Sequence, residues 1–113
     1  MHEFGIARSI CRAAAENNRG RPVSFMRVEI GALAGVLPDA LDFCIREVAR
    51  EEGLGEPEIL VNETPARFEC ECGASYETTE MLEGCPRCGG FQRRIVEGLD
   101  IRIRELQFKE TDE

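Results

Sequence analysis

The chain predicts an α+β fold: a three-stranded sheet carrying two helices, with a four-cysteine zinc-ribbon subdomain inserted before the last strand. Three observations predict it. Two segments place apolar residues at three- and four-residue steps, the mark of one-sided helices. Three others alternate apolar with polar residues or bunch β-branched ones, as strands do. Four of the six cysteines stand in two close pairs, Cys70-Glu71-Cys72 and Cys85-Pro86-Arg87-Cys88, each running straight into glycine.

Residues 4–17 form the first helix, with Phe4, Ala7, Ile10, Cys11 and Ala14 on one narrow stripe; Asn17-Asn18, Gly20 and Pro22 end it. Residues 23–30 read as a strand with Val28 and Ile30 on one face. After a loop at 31–35, Pro38-Asp39 opens a second helix that runs to about residue 52. Leu41, Ile45, Val48 and Ala49 make its stripe, with Cys44 alongside, and Gly53 and Gly55 stop it. Cys11 and Cys44 therefore read as small core side chains. A short strand at 59–61 is expected to run on past Pro65 towards Phe68. The last strand, 99–106, alternates until Arg104-Glu105 shifts its phase. Residues 1–65 plus 95–113 make one unit and residues 66–94 the inserted ribbon. Glu63-Thr64-Pro65 and Glu97-Gly98 serve as hinges, the proline restricting the entry and the glycine freeing the exit.

Paired thiolates on two tight turns build the tetrahedral four-sulfur cage that zinc favours in structural sites, so Cys70, Cys72, Cys85 and Cys88 are the expected zinc ligands. A redox dithiol normally uses a single C-x-x-C in a βαβ setting, and nothing points to a secreted disulfide framework. Four thiolates saturate the metal and leave no position for a catalytic water. A segment this short, with Phe68, Tyr76, Met81, Leu82 and Phe91 as its large apolar residues, needs a metal to fold.

Lys and Arg number 14 against 22 Asp and Glu, a formal charge of −8, and four thiolates around one divalent ion lower it by two more. That balance opposes nucleic-acid binding, which wants a basic footprint; Arg93-Arg94 reads as an ordinary solvated pair. A zinc-ribbon interaction or nucleic-acid-binding module is the alternative reading, and salt-dependent DNA or RNA binding would mark it. No phosphate loop is present and the one histidine is His2, so no enzyme is expected. The longest weakly polar stretch, residues 31–37, is too short to span a bilayer. No signal peptide is visible, and cysteines read as thiols and metal ligands suit a reducing cytoplasm.

His2 occupies a special position. The amine of Met1, the amide nitrogen of His2 and its imidazole lie in one covalent run that closes adjacent chelate rings on a single metal. The amide or carboxylate of Glu3, or water, could take a fourth place. Nitrogen ligands in a plane suit Ni(II) or Cu(II).

Met1-His2-Glu3 with the Ile6/Ala7/Ile10 helix, the run Val28-Glu29-Ile30-Gly31-Ala32-Leu33-Ala34-Gly35-Val36-Leu37-Pro38-Asp39-Ala40-Leu41-Asp42-Phe43, the cysteine pairs and the closing Gly98-Leu99-Asp100-Ile101-Arg102-Ile103 together resemble the HypA/HybF family. These are nickel metallochaperones for maturation of nickel–iron hydrogenase, and the resemblance spans residues 1 to about 108. It implies a nickel site at Met1, His2 and Glu3 that transfers Ni(II), and Zn(II) on Cys70, Cys72, Cys85 and Cys88. It implies as partners a nickel-binding GTPase and the hydrogenase large-subunit precursor, with urease maturation proteins for some members, and a monomer or homodimer. The Cys70-x-Cys72 turn is one residue shorter than in many members.

Overall fold

The structure, a computed structural model, describes residues 2–110. Its elements run α1 (Glu3–Ala15), β1 (Val23–Gly31), α2 (Pro38–Glu51), β2 (Glu58–Thr64), β3 (Ala66–Cys70), β4 (Ser75–Thr78), β5 (Arg93–Glu97) and β6 (Ile101–Phe108). The first sheet has the order β2-β1-β6, with β2 parallel to β1 across the α2 crossover and β6 antiparallel to it. Both helices pack on the face where Met26, Val28 and Ile30 are wholly buried. The opposite face carries charge: Arg27 bonds Glu105 at 2.6 Å and Arg104 meets Glu29 at 3.2 Å.

The expected helices and outer strands are present with shifted ends. The phase change in β6 is a bulge, since Arg27 pairs with Glu105 and Val28 with Ile103, skipping Arg104. The extra residue keeps Ile101, Ile103 and Leu106 against the core. One position on α1 differs from expectation. Phe4 is exposed, and the buried stripe is instead Glu3, Ala7, Ile10, Cys11 and Ala14. A helix start is positioned by its neighbours as well as by its own periodicity. Glu3 lies close enough to Cys44 to raise its thiol, after the larger effect of burial.

The strand at β2 does not continue past Pro65. Ala66–Cys70 leaves the first sheet and becomes the centre of a second, ordered β4-β3-β5. The expected run towards Phe68 is thus a strand of this second sheet, and the sequence predicts no strand at β4 or β5. β5 crosses the 94/95 boundary and pairs with β3 through Glu97, so the second sheet reaches the glycine that follows. Alternation explains β3: Ala66, Phe68 and Cys70 point inward while Arg67 and Glu69 point out. Phe68, 1% exposed, is the ribbon's apolar anchor and meets Tyr76 at a ring separation of 5.5 Å.

Arg93 corrects the expectation of a solvated pair. Its guanidinium lies over the Phe68 ring at 4.1 Å and donates to Tyr76 Oη (2.7 Å) and to the carbonyls of Glu83 (2.7 Å) and Met81 (3.0 Å). It thereby fastens the segment leading to Cys85 onto the sheet. Arg94 is on the outer face, paired with Glu69.

The crossings between sheets are clipped rather than loose. After β1, the amides of Gly31, Ala32 and Leu33 donate to the carbonyls of Asp100, Thr64 and Gly98 at 2.8, 2.9 and 2.8 Å. Gly98 has φ +132° and packs against Ala66 and Leu33, so it is a braced turn and not a free hinge.

Cys11 is wholly buried, its thiol directed at the Ile45 carbonyl at 3.9 Å. Burial, then the Glu52 carboxylate, pushes that thiol from its ordinary 9.0 up to about 11. The unfolded chain therefore ionises first, and stability falls as pH rises from 9.0 towards about 11. A thiol reagent added once zinc is stripped, with the ribbon open and the first sheet still folded, should modify the four ribbon cysteines at once. Cys11 and Cys44 should react only on unfolding; prompt reaction of all six thiols would contradict the buried placement.

Candidate metal centres

Cys70 ends β3, Cys72 sits in the turn that follows, and Cys85 and Cys88 lie in the connection between β4 and β5. These four come together: their sulfurs all lie within 4.8 Å of one another. Among the described residues no other group of three or more candidate ligands does so. Sγ of Cys70 is 3.6 Å from that of Cys88, and Sγ of Cys72 is 3.7 Å from that of Cys85. Zinc–sulfur bonds of about 2.3 Å in a tetrahedron place sulfurs about 3.8 Å apart, so the cage fits zinc.

Local backbone geometry makes the cage. The Cys70 amide donates to the Ala74 carbonyl and the Gly73 amide to the Cys70 carbonyl, closing the first turn, with Gly73 at φ +95°. In the second, the Cys85 amide donates to the Gly90 carbonyl at 2.9 Å and the Gly89 amide to the Cys85 carbonyl at 2.7 Å. Amides are aimed at sulfur too, from Arg87 to Cys85 at 3.4 Å and from Gly90 to Cys88 at 3.3 Å. The Cys85 thiol is lowered to about 6, chiefly by the Cys88 backbone N–H and also by that of Arg87. These amides stabilise the thiolate form that a metal requires. Cys70 and Cys85 are buried, whereas Cys72 and Cys88 are exposed. The one-residue Glu71 spacing still closes the cage.

The second expected site lies at the start of the chain. Met1 is outside the described residues. His2 is exposed and directly precedes α1, its carbonyl accepting the Ile6 amide at 3.0 Å. Glu3 is 7% exposed in the first turn of the helix. The imidazole thus stands in solvent beside the helix start, and the carboxylate of its neighbour is turned into the fold. Sequence reading did not find the burial of Glu3 or the clamp made by Arg93. The polar residue in an otherwise apolar stripe was the available signal for the first. The second left no signal in the sequence, because β5 is only five residues long.

A family model described as hydrogenase/urease nickel incorporation, metallochaperone, hypA matches residues 1–108. The chain is 34% identical over 108 residues to the hydrogenase maturation factor HypA of Geobacter metallireducens, covering 95% of this chain and 98% of that one. It is 36% identical over 111 residues to hydrogenase maturation factor HypA 2 of Bradyrhizobium diazoefficiens, covering 95% and 98%. The solution structure of the Ni metallochaperone HypA from Helicobacter pylori shares the fold, with a TM-score of 0.64 at 20% identity over 96% of this chain and 97% of that one. The chain belongs to the HypA family of hydrogenase/urease nickel-incorporation metallochaperones.

Proposed function

We propose that the chain binds Ni(II) through Met1, His2 and Glu3, delivers it during maturation of nickel–iron hydrogenase, and keeps Zn(II) on Cys70, Cys72, Cys85 and Cys88 for folding alone. The observation that carries the division of labour is the closed cage: four sulfurs within 4.8 Å of one another complete a tetrahedron and leave no place for cargo. An exposed imidazole before α1 is by contrast open to exchange. In this reading the nickel-binding unit is residues 1–65 plus 95–113, centred on the β2-β1-β6 sheet, and the ribbon at 66–94 is its insert, with residues 95–97 completing β5 of the ribbon sheet. The protein works in the cytoplasm without a catalytic step of its own. Its partners are a nickel-binding GTPase, the hydrogenase large-subunit precursor and, where urease is made, the urease maturation proteins.

The test is the N-terminus. Adding one or two residues before Met1, or acetylating it, keeps every side chain but removes the chelating amine. Calorimetric titration should show tight nickel binding lost in that protein and in His2→Ala, with zinc content and fold unchanged. Nickel binding should weaken as pH falls, because metal and protons compete for the same nitrogens. An extended chain that held nickel as tightly as the native one would overturn the site.

A further inference from the structure

Three of the ribbon's large apolar side chains find no core. Phe68 is buried and Tyr76 half-buried, but Met81, Leu82 and Phe91 are 37%, 91% and 57% exposed. Single exposed apolar residues are ordinary, yet these are neither scattered nor loose. Met81 and Leu82 are the central pair of a turn closed by the Glu83 amide on the Glu80 carbonyl at 3.2 Å. Such positions usually hold glycine, proline, asparagine, aspartate or serine. Turn chemistry therefore does not account for two large apolar residues there.

The turn is held firmly. Thr78 Oγ1 accepts the Glu80 amide at 2.8 Å. Arg93 donates to the carbonyls of Met81 and Glu83, on either side of Leu82, at 3.0 and 2.7 Å. The same guanidinium stands 5.2 Å from the centre of the Phe91 ring, so one side chain gathers the turn and Phe91 into a single patch. Leu82 projects from it as a fixed knob. The charge at this patch belongs to the turn itself. Glu80 and Glu83 are its outer residues, both exposed, and neither enters an ion pair among the described residues. The Arg93 guanidinium is taken up by the Phe68 ring, the Tyr76 hydroxyl and the two carbonyls. An apolar knob between carboxylates is complementary to an apolar socket with a cationic rim, and holding it in place beforehand lowers the ordering cost of docking. A bilayer suits it poorly, because the negative surface potential of anionic lipids repels carboxylates.

We propose that the Glu80–Glu83 turn, with Phe91, is a docking knob whose Leu82 enters an apolar socket edged by lysine or arginine on a partner protein. The apolar socket follows from the exposed side chains, the cationic rim from Glu80 and Glu83, and the fixed shape from Arg93. That the partner is one of the maturation proteins rests on the proposed function above; the docking chemistry does not.

The probes are the purified nickel-binding GTPase and the purified hydrogenase large-subunit precursor, each titrated with the zinc-loaded full chain. One of them should bind the native chain, with affinity falling as salt rises. Leu82→Ser should weaken that binding about tenfold or more, the loss of a central anchor. Leu60→Ser, at an exposed apolar position on the first sheet, should leave it unchanged. Glu80→Lys combined with Glu83→Lys should weaken binding and make it rise with salt. Zinc content and melting temperature should stay native in the Leu82 and glutamate variants, whose changed side chains lie in solvent. A photo-crosslinking residue in place of Leu82 should join an apolar pocket of the partner with lysine or arginine at its rim. Leu82→Ser binding as tightly as native, an equal loss in Leu60→Ser, indifference to charge reversal, or a crosslink to an acidic surface would each overturn the knob. So would native binding to phosphatidylcholine–phosphatidylglycerol vesicles that Leu82→Ser abolishes. If the native chain binds neither protein, the partner reading fails and takes the proposal with it; if it binds through other residues, the proposal alone fails. The nickel site is judged separately, in the N-terminally extended chain.

Discussion

Exchanging Cys85 for serine is expected to strip the ribbon of zinc and unfold the second sheet while leaving the first intact. Cys85 is 2% exposed and receives amides from its own turn, so no outside group can take its place. The ribbon's own core cannot compensate. Apart from cysteines, its buried apolar side chains are Ala66 and Phe68. Structural zinc contributes roughly 10–16 kcal/mol of apparent binding free energy in small zinc-finger peptides, far more than one aromatic anchor, about 3–5 kcal/mol. In the β2-β1-β6 unit, by contrast, sixteen buried residues form one continuous cluster. Metal analysis should find zinc absent, and amide spectra should lose dispersion across β3, β4 and β5 while α1 and α2 keep theirs. Stoichiometric zinc in the serine protein, or loss of both sheets together, would refute the assignment.

The largest effect in the first sheet is expected at Gly31. A Cβ there would sit 2.2 Å from the Gly98 carbonyl oxygen, and both partners are backbone held by hydrogen bonds of 2.8 Å. No rotamer change relieves that contact. Gly31→Ala must push β1 from the ribbon's exit, breaking the bonds to Asp100 and Gly98 together. Overpacking of this kind costs about 1–3 kcal/mol or more, which for a domain of this size lowers the melting temperature on the order of 10 °C. Gly5→Ala supplies the contrast. A Cβ at that helical position meets nothing within 4 Å, so replacement should stabilise by about 0.5–1 kcal/mol. Thermal unfolding of both proteins checks the pair; equal melting temperatures would mean the junction yields freely.

Much of the first sheet was legible because its periodicity is long and one-sided. Leu41, Ile45, Val48 and Ala49 repeat over about two turns, and all are buried. Even the bulge showed, as a break in alternation at Arg104-Glu105. The ribbon strands were less legible for a physical reason. β4 spans four residues and β5 five, too few to display a period, and the inward position opposite Cys70 is filled by Arg93. A guanidinium reads as surface until Phe68, Tyr76 and two carbonyls are known to surround it. Glu3 misled in the same way, since tertiary context and not sequence spacing put it inside and Phe4 outside. The cysteine cage was legible because both pairs lie on local turns, and its closure depended only on bringing two turns together.

The insertion of the ribbon between β2 and β6 also bears on the order in which the molecule is made. β1 and β2 can pair as soon as α2 is complete, but β1 must wait for β6 on its other side. All four zinc ligands precede β6 in the chain, so zinc can be captured before the sheet closes. Capture also shortens the search. Without it β6 must return across a flexible stretch from Ala66 to Glu97; with it, β3 and β5 hold those ends side by side. Closure entropy grows only slowly with loop length, about 0.6 kcal/mol for each doubling, so a metal-free ribbon should delay completion of the first sheet more than it weakens the finished one.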